Sequence, residues 1–183
     1  MAYLLLPTLL LLLSRTIASP NPINYSRQTP SCTPSSYTLP TYLYTSTSAY
    51  SSDSLQNPLL NLTFISSFPD SSSIADSATA GADCIASAVD RDTFPNEIEC
   101  STGRENLFIG LQGAIDEVGT GIKGFVMIHS WGCDGQTWMS TTPVTIPELH
   151  CESGDDEGVQ CMTDAPVDIA PQNVRRVCAG PTC

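Results

Sequence analysis

The chain is short of basic side chains: seven Lys and Arg stand against nineteen Asp and Glu, and Lys123 is the single lysine. A surface with a formal charge of −12 repels phosphate backbones and anionic lipid, so nucleic acid and membrane surfaces are poor partners for it. A cationic partner suits it, as does plain dispersal of an exported protein in an acidic medium. Histidine is scarcer still. Both histidines and both tryptophans fall in HSWGCDGQTWMSTTPVTIPELHC, residues 129–151. Local catalytic and metal signatures are missing too. There is no G-x-S-x-G elbow, no C-x-x-C pair and no H-x-x-x-H pair, which removes the usual marks of a hydrolase nucleophile and of a clustered zinc site. Beyond the first twenty residues no apolar run is long enough to span a bilayer.

What is present begins with MAYLLLPTLLLLLSRTIASP, a leucine run passing into a small, polar stretch. This is the pattern of a secretory signal peptide over residues 1–18, with Thr16 and Ala18 at the small positions before the cut. The expected mature protein is exported and free of the membrane unless an uncleaved leader anchors it. Loss of Arg15 with the leader leaves six basic side chains against nineteen acidic ones, a formal charge near −13. All eight cysteines (Cys32, Cys84, Cys100, Cys133, Cys151, Cys161, Cys178 and Cys183) lie after the leader. In an exported chain an even set reads as a disulfide framework, not as a zinc site, because oxidised sulfurs are not thiolate ligands. A thiol enzyme is disfavoured on the same ground.

About 165 residues remain, enough for one domain with a real core. Residues 19–36, SPNPINYSRQTPSCTPSS, read as a flexible Pro- and Ser-rich leader, and a single β-rich domain is expected over residues 37–183. Short alternating segments separated by turn residues argue for strands. In YTLPTYLYT (37–45), Pro40 signals an edge or an irregularity. LLNLTFIS (59–66) turns Leu60, Leu62 and Phe64 inward and Asn61 and Thr63 outward. Asn61 opens an N-x-[ST] sequon on that outward face, and Asn24 opens a second in the leader. IADSATAGADCIASAV (74–89) is alanine-rich and is read as a short helix interrupted by Gly81. NLFIGL (106–111) follows, then IKGFVMIHSW (122–131), whose two apolar faces place it centrally. Asp134-Gly135 is a hairpin turn with TWMST (137–141) as its return strand. VTI (144–146), VDI (167–169) and NVRRV (173–177) complete the set. The fold class is therefore all-β, a compact antiparallel β-barrel or sandwich stapled by disulfides, with at most a short helix around residues 74–89.

Read as a hairpin, HSWGCDGQTWM sets Trp131 against Trp138, where cross-strand aromatic pairing explains both without a ligand. His129 shares an alternate face with Phe125, Met127 and Trp131, the position of a packed or hydrogen-bonded core residue before that of a catalyst. His150 stands beside Cys151 near an acidic loop. That loop, ESGDDEG (152–158), carries Glu152, Asp155, Asp156 and Glu157 but lacks the alternating order of a calcium loop, so it reads as solvated. Serines are too abundant to mark a nucleophile, and the chain is small for a paired-carboxylate glycosidase. Arg175-Arg176 is either a dibasic processing site or a cationic patch on the last strand.

Taken in order, the landmarks resemble a known family. A cysteine precedes Y-x-L (Cys32, then Tyr37 to Leu39), and a strand of N-x-L-x-F type covers Asn57 to Phe64. A cysteine pair sixteen apart follows (Cys84 and Cys100), and a late pair stands ten apart (Cys151 and Cys161). The chain resembles the Alternaria major-allergen-like family of secreted fungal proteins over most of residues 32–178. The resemblance implies a compact antiparallel β-barrel tied to allergenicity and to interaction with plant defence proteins, with no catalytic residues. It also implies disulfides Cys84–Cys100 and Cys151–Cys161, and a first cysteine, Cys32, that can join two subunits. Cys133, Cys178 and Cys183 depart from the pattern and offer Cys32 partners within its own chain.

The expected function is that of a secreted, non-enzymatic fungal protein at the host interface, an effector-like or allergen-like binder of a plant protein. It needs no cofactor or metal and is either a monomer or a disulfide-linked homodimer. The competing readings are a small secreted hydrolase using His129 or His150, and a carbohydrate-binding cell-wall module in which Trp131, Trp138 and the tyrosines of YLYT form a stacking platform.

Overall fold

The architecture, taken from a computed structural model, is described for residues 30–48, 55–90, 93–111, 122–153 and 158–178. The signal peptide, Asn24, most of the 19–36 leader, the acids Asp155, Asp156 and Glu157, and Cys183 lie outside the described residues.

Among the described residues twelve strands form two antiparallel sheets. In the first, β1 (Ser36–Ser48) pairs with β2 (Leu55–Ser67) on one side, and β2 pairs with β4 (Ala82–Ser87). On its other side β1 takes two short strands end to end: β11 (Val167–Ile169) beside Tyr37–Leu39 and β10 (Val159–Met162) beside Leu43–Ser46. Outermost is β9 (His150–Ser153). In the second sheet β7 (Gly124–Cys133) is central, with β8 (Gln136–Thr145) and β12 (Arg175–Arg176) on one side and β6 (Leu107–Gly110) and β5 (Glu97–Glu99) on the other. The two-residue β3 (Ile74–Ala75) pairs with the far end of β7. The sheets meet at one edge, where Cys84 bridges Cys100. Among the described residues no ladder joins β9 to β12. The result is a sandwich and not a closed barrel.

The alternation in LLNLTFIS fixes the first inner face. Leu60, Leu62 and Phe64 are fully buried, joined by Tyr37, Leu39, Tyr42 and Tyr44 from β1. Leu107, Ile109, Phe125 and Met127 supply the opposite face, and Phe64 meets Phe125 edge-on across the gap at 6.0 Å. Each such side chain contributes about 1.5 to 3 kcal/mol by leaving water. Pro40 sits in a register shift of β1 between Thr38 and Thr41, which absorbs its missing N–H.

Asp134 and Gly135 both take positive φ, 51° and 72°, the geometry of a two-residue primed hairpin turn. The turn sets the register that brings Trp131 opposite Trp138. A Cβ at Gly135 meets no atom within 4 Å, so Gly135→Ala carries only the backbone cost of a left-handed residue. The expected loss is about 1 kcal/mol, read as a lower urea midpoint; an unchanged midpoint would mean that the turn relaxes to another type.

The structure corrects two sequence expectations. Residues 74–89 are not a helix. They form β3, a 3-10 turn (Ser77–Ala80) and β4, because Gly81 at φ 104° breaks the helical run. Ala82, Cys84 and Ala86 then alternate inward beneath β2. The described chain also starts before Tyr37: Pro30–Cys32 is a 3-10 turn and Cys32 is buried. The loop between Cys84 and Cys100 seats Phe94 and Ile98 in the core.

Three disulfides join described residues of the sandwich to one another. Cys84–Cys100 and Cys151–Cys161 are the two pairs implied by the resemblance. The third, Cys32–Cys133, ties the N-terminal turn to the end of β7 and consumes the sulfur that a Cys32-linked dimer would need. Cys178 is disulfide-bonded as well.

Candidate functional site

The densest cluster of chemically capable side chains lies inside the sandwich, around His129. As an inward residue of β7, His129 is wholly buried. Asp76 is delivered to it by the pairing of β3 with Gly132 and Cys133. It caps the Ser77–Ala80 turn, accepting the Ala78 N–H at 2.9 Å. His129 Nε2 lies 3.0 Å from Asp76 Oδ1, and both side chains are inaccessible to solvent. On the other side of the ring, Nδ1 stands 3.1 Å from the Tyr37 hydroxyl, which is 2.7 Å from Ser140 Oγ. Asn106 Nδ2 donates to Asp76 Oδ1 at 2.9 Å and to the Ser130 carbonyl at 2.8 Å, while the Ser66 hydroxyl donates to Asp76 Oδ2. Trp131 stacks on the imidazole with ring centroids 4.9 Å apart.

Two groups of this cluster have shifted protonation equilibria. Burial alone would raise the Asp76 carboxyl, but the hydrogen bond and positive charge offered by His129, with the Ser66 and Asn106 hydrogen bonds, outweigh it and hold the group at about 2. Burial pushes the Tyr37 phenol well above its ordinary value, although the Ser140 hydrogen bond opposes this. With Asp76 ionised, His129 Nε2 donates to it, and the order of donors through Nδ1, the Tyr37 hydroxyl and Ser140 Oγ follows the state of Nδ1. The residue types echo a serine triad, but a tyrosine separates serine from histidine. The ring has no open edge at which a substrate atom could approach.

The other expected site residues are scattered. Trp131 and Trp138 are 2% and 6% exposed, and Trp131 Nε1 donates to the Cys32 carbonyl at 2.9 Å. Tyr42 and Tyr44 of YLYT are buried as well. The stacking platform therefore has no exposed ring, and Trp131, Trp138 and His129 all lie in the core. His150 is exposed on β9 with Glu152 at 3.3 Å. Arg175 and Arg176 are held in the β12–β8 ladder opposite Met139 and Trp138. Among the described residues the one grouping of three metal-ligating types is Cys32, Cys133 and Asp134, and its two sulfurs are spent in the disulfide.

A surface groove is the second feature. Gly110, Phe108, Val126 and Ile128 on the outer face of β6 and β7, with Glu97 at the rim, enclose about 230 Å³. Arg104 lies 4.6 Å over the Phe108 ring and binds Glu97 at 2.6 Å. The apolar outer face of β7, legible in the sequence, is thus half-covered and not sealed. Comparison of the chain with protein-family models, curated proteins and solved structures finds no match in any of the three. Sequence reasoning missed Asp76, Tyr37, Ser140 and Asn106. The available signals were weak: Asp76 precedes SATA as an N-cap would, and Tyr37 and Ser140 fall on inward positions of their strands.

Proposed function

We propose that the protein is an exported, non-enzymatic fungal protein that binds a plant protein at the host interface, effector-like or allergen-like, and that it acts as a monomer through its outer faces. The observation that carries this reading is the closure of the His129–Asp76–Tyr37–Ser140 network, which holds one of the chain's two histidines wholly buried between the two sheets. The groove beside Phe108, Val126 and Ile128 is apolar, with the Glu97–Arg104 pair at its rim, on a chain of charge −12, a combination that offers a site for an apolar anchor within a surface favouring a basic partner. Disulfides in the described chain suit an oxidising compartment. Neither competing reading gains an observation: the tryptophans are buried, and His150 has Glu152 alone beside it among the described ionisable groups.

The test is capture of plant apoplastic proteins on the immobilised protein, run in parallel with Ile128→Lys, which puts a cation into the groove while leaving the inner face untouched. A basic plant protein is expected on the wild type and at least tenfold less on the variant. Equal capture by both, or none by either, would overturn the groove as the binding surface. Turnover in a hydrolase panel that disappears when both histidines are replaced by alanine would overturn the non-enzymatic reading.

A further inference from the structure

The outer face of the first sheet carries one continuous cross-strand row. Ladder pairings place Met162 of β10 opposite Leu43 of β1, Leu43 opposite Asn61 of β2, and Asn61 opposite Ile85 of β4. Three of the four are apolar, and Ile85 and Met162 are 57% and 36% exposed. Exposed apolar side chains aligned across four paired strands are an association hazard. The exception in the row is the sequon asparagine, Asn61-Leu62-Thr63. Its half-buried carboxamide stands on the outer face of β2, and its Oδ1 has no hydrogen-bond partner in the protein.

We infer that Asn61 carries an N-linked oligosaccharide whose innermost sugars lie over Leu43, Ile85 and Met162. The inference rests on the exported reading, because the modification requires passage through the secretory route. The donor is a lipid-pyrophosphate-linked oligosaccharide. Asn61 Nδ2 attacks the anomeric carbon of its first sugar, the bond from that carbon to the pyrophosphate oxygen breaks, Nδ2 gives up one proton, and the lipid pyrophosphate leaves. Transfer takes place on the extended chain. The later engagement of Thr63 Oγ1 with Asp83 at 2.8 Å does not obstruct it. In the folded protein the sugar rings supply apolar faces to the row and hydroxyls to water. The face is thereby closed to protein partners and to a second copy of the chain, leaving the groove of the opposite sheet open.

The test uses the full chain with its own leader, secreted from a fungal host and recovered from the medium. Peptides are mapped before and after amidase deglycosylation, for the wild type and for Asn24→Gln, which removes the other sequon. Conversion of Asn61 to Asp in most copies of its peptide is the expected result, with Asn61→Gln losing the corresponding mass and gaining several-fold in binding of an apolar dye. An oxidised protein in the medium with Asn61 unmodified would overturn this inference and leave the exported reading standing. Retention inside the cell with reduced thiols would overturn both.

Discussion

Replacing Cys32 and Cys133 together by alanine is expected to cost about 4 to 5 kcal/mol, the largest effect of any pair in the protein. The bond spans 101 residues, and in the chain-entropy model a loop of about that length loses close to 5 kcal/mol of unfolded-state freedom when closed. For a domain of this size the melting temperature should fall by on the order of 10 °C. The double substitution avoids a stranded thiol beside Trp131. Because Trp131 donates to the Cys32 carbonyl and packs in the same small cluster as Cys32, Cys133, Trp138 and Val174, release of the Pro30–Cys32 turn should also red-shift the tryptophan emission. A melting temperature within about 2 °C of the wild type would show that the N-terminal turn is held by packing alone.

Asp76→Ala should be nearly as costly, about 3 to 5 kcal/mol. The carboxylate accepts from His129, Asn106, Ser66 and the Ala78 N–H, and its removal strands these donors in the interior. The same group sets an acid limit. Its folded value, about 2, lies below its ordinary 3.8. A depressed carboxyl stabilises the fold fully above the unfolded value and loses that contribution as pH falls through the folded one. The contribution is about 2 kcal/mol. Urea midpoints of the wild type should therefore drop between pH 4 and pH 2 more steeply than those of Asp76→Asn, which keeps the shape but does not titrate. Parallel pH profiles for the two proteins would contradict this assignment.

Local rules were legible where a residue's neighbours in sequence decide its state. Leu60, Leu62 and Phe64 turn inward because period two is set by the backbone itself, and Asp134-Gly135 makes its turn from two residues. The central place of β7 followed from its apolar outer face. The 74–89 segment failed because alanine's helical preference is weak beside a ladder offered by β2, along which Ala82, Cys84 and Ala86 turn inward, with Cys84 bonded to Cys100. The His129 network was illegible for a different reason. Asp76 and Tyr37 lie 53 and 92 residues from His129 in the chain, and nothing local to any of them names the others. Barrel and sandwich were indistinguishable because strand content does not say whether the last edge closes.

The proposed function requires a chain that oxidises within itself, keeps His129 sealed and acts through its outer faces. A disulfide map of the unreduced secreted protein tests this most directly. The expected result is Cys32 with Cys133, Cys84 with Cys100 and Cys151 with Cys161, on a species of monomer mass. Cys32 found free or joined to a second chain would contradict the account: the N-terminal turn would be loosened from Trp131, and the protein would have a dimer interface where a monomer is proposed.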